Sequence, residues 1–321
     1  MDNILDYQPV HLMIEPRTTQ SIMSHQLTQD VYQIVDGTKV PYHFNAETVR
    51  SALNYEAQPD DIFIVSFPKS GTTWIENVVF GLLNDGKAFD DDMGYYLSQT
   101  PYAERFGQNS IMGMVRPGSI KMHVPFNYIP HHPKAKYVCI IRNPKDVCVS
   151  FYHFVREIPL YAHFNAKFNT FFEDFIHGNT PYGDYFEHLR SICDHKDDTN
   201  VLLISYEQMQ VDLTGVVLKV AEFLNINQNK EVLEKILEHA SFTYMKQKFD
   251  KAHNTCHAQK SDKSQTFSFP LTFVRTGVAG NWSSQMNDEQ VQLLDQKMAD
   301  FMREIPGLNE LLWPKAKLEE H

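Results

Sequence analysis

Asp61-Ile62-Phe63-Ile64-Val65-Ser66-Phe67-Pro68-Lys69-Ser70-Gly71-Thr72-Thr73-Trp74 is the stretch from which the rest of the chain can be read. Its first half is a continuous apolar run, the pattern of a strand covered on both faces. From Trp74 onward apolar residues fall at positions 74, 75, 78, 79, 82 and 83, a single helical stripe. Between strand and helix lie a lysine, a glycine and three hydroxyl residues. Where a strand runs directly into a helix, the first-turn N–H groups are unpaired and the helix dipole is positive, so an anion fits there. Gly71 lets the backbone curl close to a ligand. Lys69 supplies a point charge, and Ser70, Thr72 and Thr73 supply hydroxyl donors. A helix start that only needs a cap is satisfied by one Ser or Thr; this combination favours an anion site.

The strand-then-helix alternation recurs. Residues 137–141 (YVCII) and 201–204 (VLLI) read as further buried strands, and Leu213, Val216, Val217, Val220, Phe223 and Leu224 form another helical stripe. The pattern predicts an α/β chain: a single domain over 1–321 with a central parallel sheet flanked by helices. Residues 288–303 read as an additional amphipathic helix through Val291, Leu294, Met298 and Phe301. Residues 1–40 read as an N-terminal extension. The polar, aperiodic stretch 246–268 reads as a mobile lid loop.

Composition narrows the function. The 321 residues carry 29 basic and 40 acidic side chains, a net charge of −11, which disfavours a nucleic-acid surface. With 42% hydrophobic and 21% charged residues the chain can bury a sizeable core. No run approaches the about 18 apolar residues of a spanning helix, and the first twenty residues lack the pattern of a signal peptide. Cys139, Cys148, Cys193 and Cys256 contain no CxxC pair, in keeping with a reducing, cytoplasmic setting. No His/Cys/Asp cluster has zinc spacing, so no metal is expected.

Two further segments carry candidate chemistry. Arg142-Asn143-Pro144-Lys145-Asp146-Val147-Cys148-Val149-Ser150 follows the second strand. Asn143 can cap a helix with Pro144 in its first turn. Arg142 then stands at the strand's C-terminal edge, where open α/β sheets bind ligands, and with Ser150 it suits a second phosphate. A surface ion pair would serve Arg142 equally well. In Lys121-Met122-His123-Val124-Pro125, alternation puts Lys121 and His123 on one face of an extended segment. The lysine favours a neutral imidazole, able to act as a base near pH 7. A Walker loop is absent: Gly81 to Ala88 lacks the final Ser/Thr and follows a helix. A dinucleotide GxGxxG cannot be written, because no two glycines lie two positions apart.

Together FPKSGTTW (67–74), KMHVP (121–125) and RNPKDVCVSFYHF (142–154) resemble the cytosolic sulfotransferases, over roughly residues 40–300. The resemblance implies a transferase that uses 3′-phosphoadenosine 5′-phosphosulfate (PAPS), releases adenosine 3′,5′-bisphosphate (PAP) and needs no metal, with a P-loop-like phosphosulfate-binding loop. It implies that Lys69, Ser70, Gly71, Thr72 and Thr73 surround the 5′-phosphosulfate, and that Arg142 and Ser150 hold the 3′-phosphate. Trp74, Tyr206, Ser241 and Phe242 match adenine contacts, His123 the catalytic base, and Lys121 its neighbour at the transferred group. The family's RKGxxGDW element reads Arg275-Thr276-Gly277-Val278-Ala279-Gly280-Asn281-Trp282: Arg275 and Gly277 remain, but Thr276 replaces a lysine. The family's dimer motif KxxxTVxxxE falls on Ser283, Asn287, Asp288 and Gln292, none of which matches, so a monomer or a non-standard homodimer is expected.

Phe151, Tyr152 and Phe154 match pocket-lining aromatics, with Tyr95, Tyr96, Tyr161 and Phe164 as weaker candidates. An aromatic pocket favours a small hydrophobic acceptor: a phenol, alcohol, sterol, retinoid or amine. Two other activities stay open on these residues. A PAPS-dependent dehydratase acts through a sulfated alcohol, and a P-loop nucleotide kinase needs Mg²⁺ and ATP.

Overall fold

Three strands of one parallel sheet each end at the start of a helix, and this places the site. The computed structural model describes residues 30–89, 93–248, 277, 279–305 and 307–312. In chain order the elements are β1 (Tyr32–Val35), β2 (Thr38–Pro41), α1 (Ala46–Leu53), β3 (Ile62–Val65), α2 (Thr72–Leu83), α3 (Met93–Gln99), α4 (Ala103–Phe106) and α5 (Gln108–Met112). There follow β4 (Ile120–Met122), β5 (Lys136–Ile141), α6 (Pro144–Arg156), α7 (Phe168–Ile176), α8 (Tyr185–Cys193), β6 (Val201–Ser205), α9 (Tyr206–Val211) and α10 (Leu213–Phe223). The last are α11 (Lys230–His239), a helix over 242–248 (α12), α13 (Asp288–Glu304) and α14 (Leu308–Leu312).

The sheet order is β4-β3-β5-β6, all parallel, with Val65 opposite both Met122 and Cys139, and Ile140 opposite Ile204. Side chains alternate between two apolar layers. Phe63, Val65, Tyr137, Cys139, Ile141 and Leu203 face the core built with α6, α7 and α8. Ile64, Val138, Ile140, Leu202 and Ile204 face the core built with α2, α10 and α11. Burial on both sides explains why these strands are apolar at every position.

The helix starts follow local sequence. Asn143 accepts from Lys145 N at 3.0 Å and caps α6, with Pro144 in the first turn. Ser205 and Gln208 form a capping box at α9. The Gly81–Ala88 stretch is no phosphate loop. Gly81 lies inside α2 against Ile236, and Gly86 N closes onto Gly81 O at 2.8 Å where the helix ends.

Three boundaries differ from the sequence reading. The 1–40 extension holds β1 and runs into β2; they pair as an antiparallel hairpin through Asp36 and Gly37, both at positive φ (47° and 91°). The hairpin belongs to the fold: Val35 and Val40 are buried, and Lys39 Nζ donates to Gly178 O at 2.8 Å. Of the loop expected at 246–268, residues 246–248 instead complete α12, whose first turn is capped by Ser241 Oγ accepting from Tyr244 N at 3.3 Å. Residues 249–268 lie outside the described residues. The extended segment at 120–122 is a full member of the sheet, as edge strand β4.

Gly71 joins β3 to α2 with φ 108°, and a Cβ there would lie 2.8 Å from Tyr206 Cδ2 and 3.0 Å from Ile140 Cδ1. Gly71→Ala is therefore expected to destabilise the fold by about 1–3 kcal/mol, from strain in the left-handed region. Urea denaturation measures this; an unchanged midpoint contradicts the loop geometry.

Candidate active site

The loop after β3 is shaped by two left-handed residues, Lys69 (φ 71°) and Gly71. Gly71 stands at the N-cap of α2, with no side chain capping the first turn. Ser66 and Thr72 hydroxyls are 2.7 Å apart. Ser70 is fully buried and its Oγ has no partner among the described residues. The loop after β5 is tied to it: Arg142 Nη1 donates to Lys69 O at 3.2 Å, and the guanidinium stacks 4.0 Å over the Tyr206 ring. Arg142 Nε is buried and has no partner among the described residues. Two orphaned buried polar groups beside an uncapped helix start fit an anionic ligand. Behind them Glu207 accepts from Asn143 N at 2.9 Å, and burial raises its carboxyl to about 7.

His123 follows β4. Its Nδ1 lies 2.7 Å from Ser66 O, and only a protonated nitrogen can donate there, so Nε2 keeps the lone pair. Burial lowers the imidazole to about 3, opposed by the Ser66 bond and aided by Lys121. The imidazole is neutral near pH 7 as expected, but burial is a larger cause than the lysine. Glu104 anchors the segment from below: one carboxylate oxygen accepts from both His123 N and Val124 N, the latter at 2.9 Å. His188 Nε2 donates to His123 O at 3.1 Å. Tyr102 and Tyr182 meet the imidazole edge-on at 5.2 and 5.7 Å, their hydroxyls bonded to each other. Lys121 Nζ sits 3.2 Å from Glu76 Oε1, and Tyr96 OH donates to Glu76 Oε2 at 2.5 Å. Burial raises the Glu76 carboxyl while Lys121 and Tyr96 oppose it.

These groups meet in one cavity of about 430 Å³. Of the residues singled out from sequence, Lys69, Gly71, Thr72, Thr73, Trp74, Lys121, His123, Arg142, Ser150, Phe154, Tyr206, Phe242 and Gly277 line it. Trp74 and Tyr206 face each other at 5.2 Å, and Trp74 Nε1 donates to Ala240 O at 2.8 Å. Ser70 lies beneath the loop, and Ser241 serves as the α12 cap. Arg275 lies outside the described residues.

Two expectations need correction: Phe151 and Tyr152 do not line the cavity. At about 100° per residue, Ser150 and Phe154 share one face of α6 while 151 and 152 turn away. Phe151 is fully buried against Phe67 and Phe171, and Tyr152 OH donates to Ala166 O at 3.1 Å. Tyr96 and Tyr161 do line the cavity; Tyr95 and Phe164 do not.

The sequence reading missed His43, Phe44, Tyr102, Arg105, Phe106, Ile158, Leu160 and Tyr182 in the lining. It also missed Glu76 and Glu104, though Glu76 had a signal: a charged residue amid apolar positions near the start of a buried helix.

With this geometry in view, the comparisons with known proteins are specific. Residues 59–306 match the family described as the sulfotransferase domain. Sulfotransferase 1E1 of Cavia porcellus is 32% identical over 239 residues, 72% of this chain and 79% of that protein. The crystal structure of mouse sulfotransferase SULT7A1 complexed with PAP aligns with a TM-score of 0.66 at 26% identity, covering 85% of this chain and 94% of that one. A retinol dehydratase in complex with androsterone and inactive cofactor PAP aligns with a TM-score of 0.67 at 23% identity, covering 87% and 89%, a likeness of fold. The chain belongs to the sulfotransferase family. It is an enzyme of the sulfotransferase class.

Glu104→Ala removes the acceptor of two buried N–H groups and is expected to destabilise the protein by about 2–5 kcal/mol, from two unsatisfied donors. Glu104→Gln keeps an acceptor oxygen and is expected to lose less than half of that. Denaturant midpoints of the two variants check this, and equal losses contradict it.

Proposed function

We propose that the chain transfers the sulfuryl group of PAPS to the hydroxyl of a small hydrophobic acceptor, with His123 taking the acceptor's proton. The observation that carries this is the His123 lone pair, fixed by the Ser66 bond, in the same cavity as Lys69, Lys121 and Arg142. The donor, when bound, supplies an activated sulfuryl group on a phosphate leaving group.

The chain's own residues divide the work. Lys69, Thr72, Thr73 and the start of α2 hold the 5′ end and balance charge on the departing phosphate. Ser70 lies beneath the same loop with its hydroxyl unclaimed. Arg142 and Ser150 hold the 3′-phosphate, with the guanidinium already set by Lys69 O and the Tyr206 ring. Trp74, Tyr206 and Phe242, with Gly277, bracket the adenine. Lys121, its ammonium held in place by Glu76, would meet the sulfuryl group. His123 Nε2 accepts the proton as the acceptor oxygen bonds to sulfur. On the acceptor side the lining is mainly apolar: Phe44, Leu97, Phe106, Phe154, Ile158, Leu160 and Met245. A nucleotide kinase has no support here, since its nearest phosphate motif is helix and turn.

We read the protein as cytoplasmic from the free, buried Cys139, Cys148 and Cys193. Among the described residues no helix is long and apolar enough to cross a membrane. We also keep a monomer or a non-standard homodimer, since Asn287 is engaged in the capping box of α13.

His123→Asn is expected to lower turnover about 10²–10⁴-fold, the scale of general-base catalysis, while PAP affinity by calorimetry stays within about twofold, because the imidazole is not a phosphate ligand. Arg142→Ala is expected to weaken PAP at least about tenfold while barely changing AMP, given the strength of one charged hydrogen bond. Near-normal turnover of a folded His123→Asn protein places the base elsewhere. Equal losses for PAP and AMP remove Arg142 from the 3′-phosphate.

A further inference from the structure

The acceptor end of the cavity carries charge of one sign. Among the described residues that line it there is no aspartate or glutamate. Two carboxylates behind the lining are engaged: Glu76 by Lys121 and Tyr96, Glu104 by the backbone of His123 and Val124. Lys69 and Arg142 stand where the donor is proposed to bind. The remaining cation of the lining is Arg105, on α4, which makes no ion pair with a described residue. Its guanidinium is exposed, 5.7 Å from the Phe106 ring.

Arg105 and His123 line the same cavity. An aromatic wall runs from His123 to His43 in successive ring contacts: His123 to Tyr102 at 5.2 Å, Tyr102 to Phe44 at 5.8 Å, Phe44 to His43 at 5.0 Å. The charge of Arg105 is felt at His43, which burial first and Arg105 second lower to about 4, and also at Tyr161. His43 Nδ1 is buried without a partner. The cavity that holds His123 thus also holds His43 and Arg105.

We propose that the acceptor is a hydroxylated aromatic or alicyclic compound whose far end carries a carboxylate, bound by Arg105. This rests on the sulfotransferase reading above and names its substrate class. The planar guanidinium gives a carboxylate two parallel charged hydrogen bonds. A cationic amine in the same position meets like charge and no acidic partner in the described lining.

Three phenols of similar size separate the cases: 3-(4-hydroxyphenyl)propanoate, 4-ethylphenol and tyramine. Each is assayed for PAPS-dependent kcat/KM and, by calorimetry, for binding to the enzyme loaded with PAP. The expected order is anion, neutral, cation, with the anion at least about tenfold above the neutral phenol in both readouts, the scale of one charged hydrogen bond. Arg105→Gln is expected to bring the anion-to-neutral ratio close to one, and Arg105→Lys to retain part of it. Equal values for anion and neutral phenol, a preference for tyramine, a ratio that survives Arg105→Gln, or no binding by any of the three overturns the proposal. Graded binding without sulfation overturns the sulfotransferase reading for phenols and leaves the charge preference standing. Sulfation without the gradation does the reverse.

Discussion

The site depends on one hydrogen bond, from His123 Nδ1 to Ser66 O at 2.7 Å. It joins the ends of two neighbouring parallel strands, where Ser66 N also donates to Met122 O at 3.3 Å. The bond fixes the tautomer, and the edge-on rings of Tyr102 and Tyr182 fix the imidazole's place in the cavity. Ser66 Oγ in turn meets Thr72 Oγ1 at the start of α2, so His123 and the loop after β3 share a support. A shift of the loop is therefore felt at the base.

The second constraint is electrostatic. A chain of net charge −11 gathers cations along one sheet edge. The starts of α2, α6 and α9 lie there, each with the positive end of a helix dipole. Lys69, Lys121 and Arg142 add full charges in the same cavity. The matching carboxylates stand behind: Glu76 at Lys121, and Glu207 on the N–H of Asn143 beside Arg142. The field toward the ligand is positive while buried charge is balanced from the rear. Burial drives Glu104 and Glu207 up and His123 down for the same reason, removal of the charged form from water.

The strands at 62–65, 136–141 and 201–205 were legible because both faces are covered, which leaves continuous apolar runs. The strand-to-helix turn after β3 and the Asn143 cap were legible because their chemistry is local. Phe151 and Tyr152 were misplaced because being near Ser150 in sequence does not put them on its helix face. The Asp36-Gly37 hairpin carried a turn signal, but its strands are four residues each and were absorbed into the extension. The acceptor end had no local signature. His43, Arg105 and Tyr182 come from distant segments and meet only through the sheet and the packing of α4. Arg275 and most of the expected lid loop lie outside the described residues, so their part in the site stays with the sequence.

His123 is neutral because it is buried and tied to Ser66. A group whose pKa is lowered on folding loses its proton more readily in the native state. The imidazole is thus uncharged at pH 5–8, and the stability it contributes is present above 6.5 and lost as the pH falls toward 3. The direct measurement is an NMR pH titration of the free protein with labelled histidine, the His123 signal assigned by its loss in His123→Asn. The account predicts chemical shifts of a neutral, Nδ1-protonated ring with no titration between pH 5 and 8. A His123 signal that titrates near 6.5, or that shows the proton on Nε2, contradicts it.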